Sequence, residues 1–153
     1  MNSSEIEIRE ILSSDETILA KAAELITKYS WGPDYPIKPI DEIRRTEYSI
    51  GAFRNDQLVG FGSVGRDFSP DGIDNSELWI AHAVIIPEYR RIGIFNKIYE
   101  MQMSYAKSQQ GRILSCTDNP IVEKFFLAND WKKIREAKDE AGGPSIVFEY
   151  ETR

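Results

Sequence analysis

The sequence predicts a mixed α/β domain. Three observations carry this: short segments in which apolar and charged residues alternate, longer ones with apolar residues every three or four positions, and clusters of Gly, Pro, Asn and Asp between them. The 153 residues suit a single domain, 1–153, with one hydrophobic core.

In order, Glu5 to Ile11 places Ile6 and Ile8 between charges and reads as a strand. Ser13, Ser14 and Asp15 offer caps for a helix to about Tyr29, with Ile18, Ala22, Leu25 and Ile26 at helical spacing. Trp31 to Ile40 holds Gly32, Pro33, Pro36 and Pro39 and reads as a loop, followed by a short helix over Asp41 to Glu47. Tyr48 to Arg54 and Leu58 to Arg66 are strands of a hairpin turned at Asn55, Asp56 and Gln57. Asp67 to Ser76 is a polar loop. Glu77 to Ile86 is apolar almost throughout, as in a central strand covered on both faces. Gly93 to about Lys107 is a helix with Ile94, Ile98, Met101 and Tyr105 on one stripe. Arg112 to Cys116 is a strand. Asp118 or Asn119 caps a helix that has Pro120 in its first turn and ends near Asn129. Trp131 to Glu136 and Ser145 to Glu151 are closing strands around Ala141 to Pro144. The order is β-α-α-β-β-β-α-β-α-β-β, without repeats or linkers.

Composition narrows the function classes. A net charge of −6 argues against general nucleic-acid binding, which neutralises phosphates with clustered Lys and Arg. It suits a cationic small molecule, and equally it simply keeps the chain soluble. No apolar run approaches the ~20 residues of a membrane span, so no membrane partner is expected. Met1 to Glu10 lacks the basic-then-apolar pattern of a secretory signal, and the expected location is the cytoplasm. Cys116 is the one cysteine and His82 the one histidine, which rules out an internal disulfide and a Cys/His zinc site; no metal is expected.

The segment from Val84 to Lys97 carries the chemistry. A buried strand stops at Pro87, a basic turn follows with Arg90 and Arg91, and Gly93 opens a helix that contains Lys97. The first amides of a helix lack internal partners and sit at the positive end of its dipole, which suits a phosphate. Gly93 has no Cβ to keep a ligand from the backbone. Taken alone, these residues fit a phosphate site or a plain strand-to-helix turn with solvated arginines.

The run Pro87-Glu88-Tyr89-Arg90-x-x-Gly93-Ile94, following Ala83-Val84-Ile85, resembles the central motif of the GNAT superfamily of N-acetyltransferases: Arg or Gln, two residues, Gly, one residue, then Gly or Ala. Arg90 and Gly93 match, whereas Phe95 replaces the last small residue, where it would either crowd a pyrophosphate or turn into the core. Asn119 to Trp131 is similar to the family's segment after the fifth strand, with Trp131 in place of Phe, Asp130 in place of Gly and Phe126 in place of Tyr. Ile80 to Trp131, about a third of the chain, holds the resemblance.

It implies a mostly antiparallel mixed sheet flanked by helices and splayed between its fourth and fifth strands, with acetyl-CoA as cosubstrate in the splay. Main-chain groups of Val84, Ile85 and Ile86 would pair with the pantetheine arm. The amides of Arg91, Ile92, Gly93, Ile94 and Phe95, with Arg90, would hold the pyrophosphate, and Asn119 would complete the cofactor set. An N–H near Val84 or Ile85 would polarise the thioester carbonyl. The loop after the first helix, with Trp31, Asp34 and Tyr35, would meet the acceptor; these residues suit a cationic amine or simply pin a proline-rich loop to the core. Family members are often dimers, so a homodimer is open.

His82 is a candidate base, as its unperturbed pKa near 6.5 allows, or else a satisfied buried histidine. Strict alternation groups Ile80, His82 and Val84 on one strand face and Trp79, Ala81 and Ala83 on the other. Glu77 is a second candidate base, or a solvated strand end. Phe126 cannot donate a proton to the leaving thiolate, as the family's tyrosine does. Tyr99, Tyr105, Cys116 or solvent remain for that role. The expected activity is acetyl transfer to a primary amine of a small molecule or amino-acid-derived acceptor. The alternatives are an acyl-CoA-binding sensor of the same fold and an interaction domain without a CoA site.

Overall fold

The computed structural model describes residues 5–151. Seven strands form one sheet in the order β1-β2-β3-β4-β5-β7-β6. They are β1 (Ile6–Ile11), β2 (Tyr48–Arg54), β3 (Gln57–Gly65), β4 (Leu78–Ile85), β5 (Ile113–Thr117), β6 (Trp131–Lys138) and β7 (Pro144–Tyr150). Every neighbouring pair is antiparallel except β4 and β5. That pair is parallel because α3 (Ile94–Ser108) crosses over between them. The expected mixed sheet is thus the observed one.

Helices cover both faces. α1 (Glu16–Ile26), capped by Asp15 through Ile18 N at 3.4 Å, buries Leu19, Ala22, Leu25 and Ile26. It runs on as a π turn, Thr27–Trp31, that takes Trp31 out of the expected loop. α2 is shorter and earlier than expected, Pro39–Ile43, because Pro39 supplies the fixed φ of a first helical position. On the opposite face lie α3 and α4 (Pro120–Ala128), the latter capped by Asn119 through Ile121 N at 2.9 Å. Phe126, Trp131 and Phe148 are packed under them, each no more than 3% exposed.

α3 buries Ile94 and Ile98 of the predicted stripe, while Met101 and Tyr105 are half-buried and Gln102, Met103 and Ala106 face inward in the later turns. A polar residue is buried there because the sheet beneath it is irregular. β3 and β4 lose register between Phe61 and Ser63: Ser63 pairs with Ala81 and Phe61 with Val84, so His82 and Ala83 together oppose Gly62. This is a β-bulge, and its first residue, His82, has φ 60°. Two carbonyls beside it, Ser63 O and Ala81 O, accept from Gln102 Nε2 at 3.0 and 3.3 Å. A Cβ at Gly62 would lie 2.6 Å from Ile98 Cγ2 and 3.0 Å from Gln102 Nε2, so glycine allows α3 to sit this close.

The bulge corrects the alternation expected for β4. Ile80 packs with Met103 and Ala106 of α3, whereas the His82 ring turns to the α2 side and meets Ser63, which pairs with Ala81. Val84 stays with His82, opposite Phe61. An extra residue reverses the side-chain direction beyond it, and periodicity alone does not reveal where one is inserted.

Candidate active site

β4 and β5 are joined by only two paired positions, Leu78 with Ile113 and Trp79 with Leu114. Ser115 Oγ donates to Ile80 O at 2.9 Å just beyond them. From there Cys116 and Thr117 pair with Val147 and Ile146 of β7. The far half of β4 therefore keeps β3 on one side and an open edge on the other.

That edge presents backbone groups. Ile86 N donates to Val59 O across the β3 ladder at 2.9 Å. Strand alternation then turns the N–H and C=O of Ile85, and of Ala83, towards the opening. Arg90 Nε donates to Ile85 O at 3.0 Å, as that direction requires. Val84, Ile85 and Ile86 are buried as side chains, and of the three only Ile85 turns its main chain to the opening; Val84 and Ile86, expected beside it as partners of the carrier, face β3 instead. Of the two amides expected near the thioester, Ile85 has the outward one.

The edge leads into the turn at Pro87–Tyr89 and then to the start of α3. Gly93 has φ 92° and no heavy atom within 4 Å of where a Cβ would stand, so its surface is open to a ligand. Arg91 also has positive φ, 66°, and its side chain is exposed, as are those of Arg90 and Lys97. Ile94 is buried beneath and Ile92 is half-buried. Phe95 takes the inward course of its two alternatives: its ring packs edge-on against Phe125 of α4, centroids 5.1 Å apart. Asn119 is committed through its side chain to capping α4.

A second wall is built from side chains. The rings of Trp31 and Tyr35 lie 4.9 Å apart, and that of Trp31 lies 6.0 Å from His82. Tyr35 Oη donates to Glu140 Oε2 at 2.6 Å, tying the loop before α2 to the β6–β7 turn. Burial first, and then the Glu140 carboxylate, push the Tyr35 phenol well above its ordinary pKa. Asp34 is exposed beside it. Cys116 is half-buried within reach of Ser145 and of the charges on Glu140, Glu42 and Asp118; desolvation, the largest cause, pushes its thiol up to about 11. A thiol raised in this way is a poor nucleophile near neutral pH. Glu140 and Glu42 were missed in the sequence because they lie far from the motif; only the excess of acid hinted at them.

His82 lies between these walls with its side chain 2% exposed. Nε2 is 2.7 Å from Glu42 Oε1, and Nδ1 is 2.5 Å from Ser63 Oγ. Both ring nitrogens are engaged, so acting as a base would require the ring to break one of these bonds. Glu77 is placed at the closed end of the β4–β5 pair, where Oε2 accepts from Arg112 N at 3.2 Å. The opening begins beyond Trp79, past that residue. Tyr99 Oη accepts from Trp131 Nε1 at 2.7 Å and Tyr105 Oη donates to Glu47. Among the described residues no His, Cys, Asp or Glu cluster is arranged to hold a metal ion, and no helix is long and apolar enough to cross a membrane.

The same architecture recurs in solved structures. PH1933 from Pyrococcus horikoshii OT3 superposes with a TM-score of 0.74 at 14% identity, covering 97% of this chain and 99% of its own. Aminoglycoside 6'-acetyltransferase type Ii does so at 0.71 and 17% identity, covering 96% and 99%. An aminoglycoside 6'-N-acetyltransferase complexed with coenzyme A scores 0.71 at 14% identity, covering 96% and 98%. No curated protein matches the sequence significantly. The model of the acetyltransferase (GNAT) family matches residues 6–128, which include the β4 edge, the Gly93 turn and α4. The chain therefore belongs to the GNAT family of acetyltransferases.

Proposed function

We propose that the protein is an acetyl-CoA-dependent N-acetyltransferase that acts on a primary amine of a small molecule or amino-acid-derived acceptor. The observation that carries this is the open edge of β4, whose outward backbone groups run continuously into the Gly93 turn. An extended carrier with a pyrophosphate at one end fits such an edge: the arm pairs with main-chain groups of Ala83 and Ile85, and the pyrophosphate meets the first amides of α3 beside Arg90, Arg91 and Lys97. The inward turn of Phe95 leaves its N–H available there. Coenzyme A in one structural neighbour supports the same reading.

Acetyl-CoA supplies an acetyl group activated as a thioester. The amine, once its ammonium form has lost a proton to solvent, forms a bond from nitrogen to the acetyl carbon; the C–S bond breaks with its electron pair leaving on sulfur, and the second proton on nitrogen also passes to solvent. An outward N–H of Ala83 or Ile85 stabilises the charge developing on the carbonyl oxygen. The thiolate, of a type with pKa near 8.5, takes its proton from solvent, since Phe126 has none to give and lies in the core. Trp31, Tyr35 and Asp34, joined by Glu140, surround the acceptor with ring faces and carboxylates, which favours a cation. Two of the neighbours are named for transfer to aminoglycosides, in line with an amine-bearing acceptor.

The buried Phe126 keeps a second reading in play, that of an acyl-CoA-binding sensor with little turnover. Acetyl-CoA offered with a panel of cationic and neutral amines separates the two. Thiol release that depends on a cationic amine is the result expected of the transferase. CoA binding with no release above the solvent rate across the panel supports the sensor. If CoA raises Tm at no concentration, both readings fail.

A further inference from the structure

We infer that Ser63, His82 and Glu42 form a buried clamp whose function is to hold the β4 bulge, and with it the outward amides of Ala83 and Ile85, in the geometry that acetyl transfer uses. The inference rests on the transferase reading above and makes His82 a positioning residue in place of a base.

The bulge does not hold itself. His82 has φ 60°, a region a residue with a Cβ enters at a cost of about 1 kcal/mol or more unless its surroundings fix it. Its ring is fixed from every side. Nε2 reaches Glu42 Oε1 at 2.7 Å, and a carboxylate there requires Nε2 to carry a proton. Nδ1 meets Ser63 Oγ at 2.5 Å, which either donates to it or accepts from it. The ring edge packs on Phe68 at 4.7 Å between centroids, and Trp31 lies at 6.0 Å.

Each part of the clamp is otherwise unusual. Glu42 is 7% exposed, and a buried carboxylate is rare without a partner. Ser63 is fully buried in a strand, where an apolar residue would pack better. From α3 Gln102 donates to Ser63 O and Ala81 O beside the bulge, and Gly62 makes room for it. Five residues from β3, β4, α2 and α3 thus converge on one irregularity, at the point where β4 parts from β5.

A clamp and a base differ in what they alter. Removing a clamp lets the amides drift, which lowers kcat and leaves the carrier's affinity, set largely at the Gly93 turn, almost unchanged. Glu42→Ala and Ser63→Ala, each checked for folding by Tm, are expected to lower kcat with the best amine about 20-fold or more and to change the KM for acetyl-CoA less than about threefold. Glu42→Gln keeps an oxygen to accept from Nε2 and is expected to recover about half or more of the loss on a logarithmic scale. In a crystal structure of Glu42→Ala, residue 82 is expected to leave the φ of 60° seen here. A bulge that persists in that variant overturns the inference whatever the rate does. A relaxed bulge with kcat within about threefold of wild type overturns it too. If the wild-type protein acetylates no amine, the transferase reading fails, and the clamp as a structural device stands or falls on the Glu42→Ala structure alone.

Discussion

The two walls of the β4–β5 opening are built on opposite plans. The wall proposed for the carrier is one stretch of chain, Ala83 to Lys97, and offers backbone amides, a glycine and three exposed cations. The wall proposed for the acceptor gathers Trp31, Tyr35, Glu42, His82, Cys116 and Glu140 from six segments, and is made of side chains held to one another. Backbone recognition needs only a local conformation, whereas side-chain recognition needs groups that the fold brings together, and the group gathered here is acidic and aromatic. The two meet at the His82 bulge.

The largest expected effect breaks the carrier wall. Gly93→Glu sets a carboxylate beside the first amides of α3, and titration calorimetry should show CoA affinity falling about 100-fold or more. The site of a Cβ there is empty, so the fold should survive with a loss of about 1 kcal/mol from the positive φ. Unchanged affinity in the folded variant would remove the carrier site from the account. Next comes the seam. Gly62→Ala forces a methyl to within 2.6 Å of Ile98 Cγ2, and denaturant titration should show a loss of about 2 kcal/mol.

A smaller effect sharpens the acceptor wall. Tyr35→Phe removes the bond to Glu140 and frees the loop from the β6–β7 turn. The KM for the amine should rise about threefold to tenfold while CoA affinity stays constant. The smallest lies away from both walls, where Arg135 holds Asp71 and Asp74 and fastens the loop after β3 to β6. Hydrogen bonds from Arg135, the largest cause, keep the Asp71 carboxyl at about 2. A depressed folded-state value means stability that is present above about pH 4 and fades as pH falls towards 2. Solvent screens the pair, so Asp71→Asn should cost under about 1 kcal/mol at neutral pH, and the difference should vanish near pH 2.

The legibility of the sequence follows the same division. Element order, the central position of β4 and the glycine turn could be read because each depends on neighbours a few residues away. The Arg90–Gly93 spacing and the Asn119 cap belong to that class. The direction of Phe95 depends on Phe125, a residue of another helix, so its neighbours in sequence do not decide it. The face of His82 was misread because a bulge shifts the period by one, and the residues that require it, Gly62, Ser63 and Gln102, look unremarkable where they stand. Gln102 was the one visible trace, a polar residue next to an apolar stripe. Glu77 stands just before β4 and accepts from Arg112 N at the closed end, a placement that only the strand pairing shows.

The most direct test is a crystal structure with CoA bound. The pantetheine arm is expected along the open edge of β4, hydrogen-bonded to main-chain groups of Ala83 and Ile85. The pyrophosphate should lie on the amides around Gly93, and the sulfur should point towards the wall of Trp31 and Tyr35. CoA bound elsewhere, or an edge of β4 that stays free of it at saturating concentration, would contradict the account.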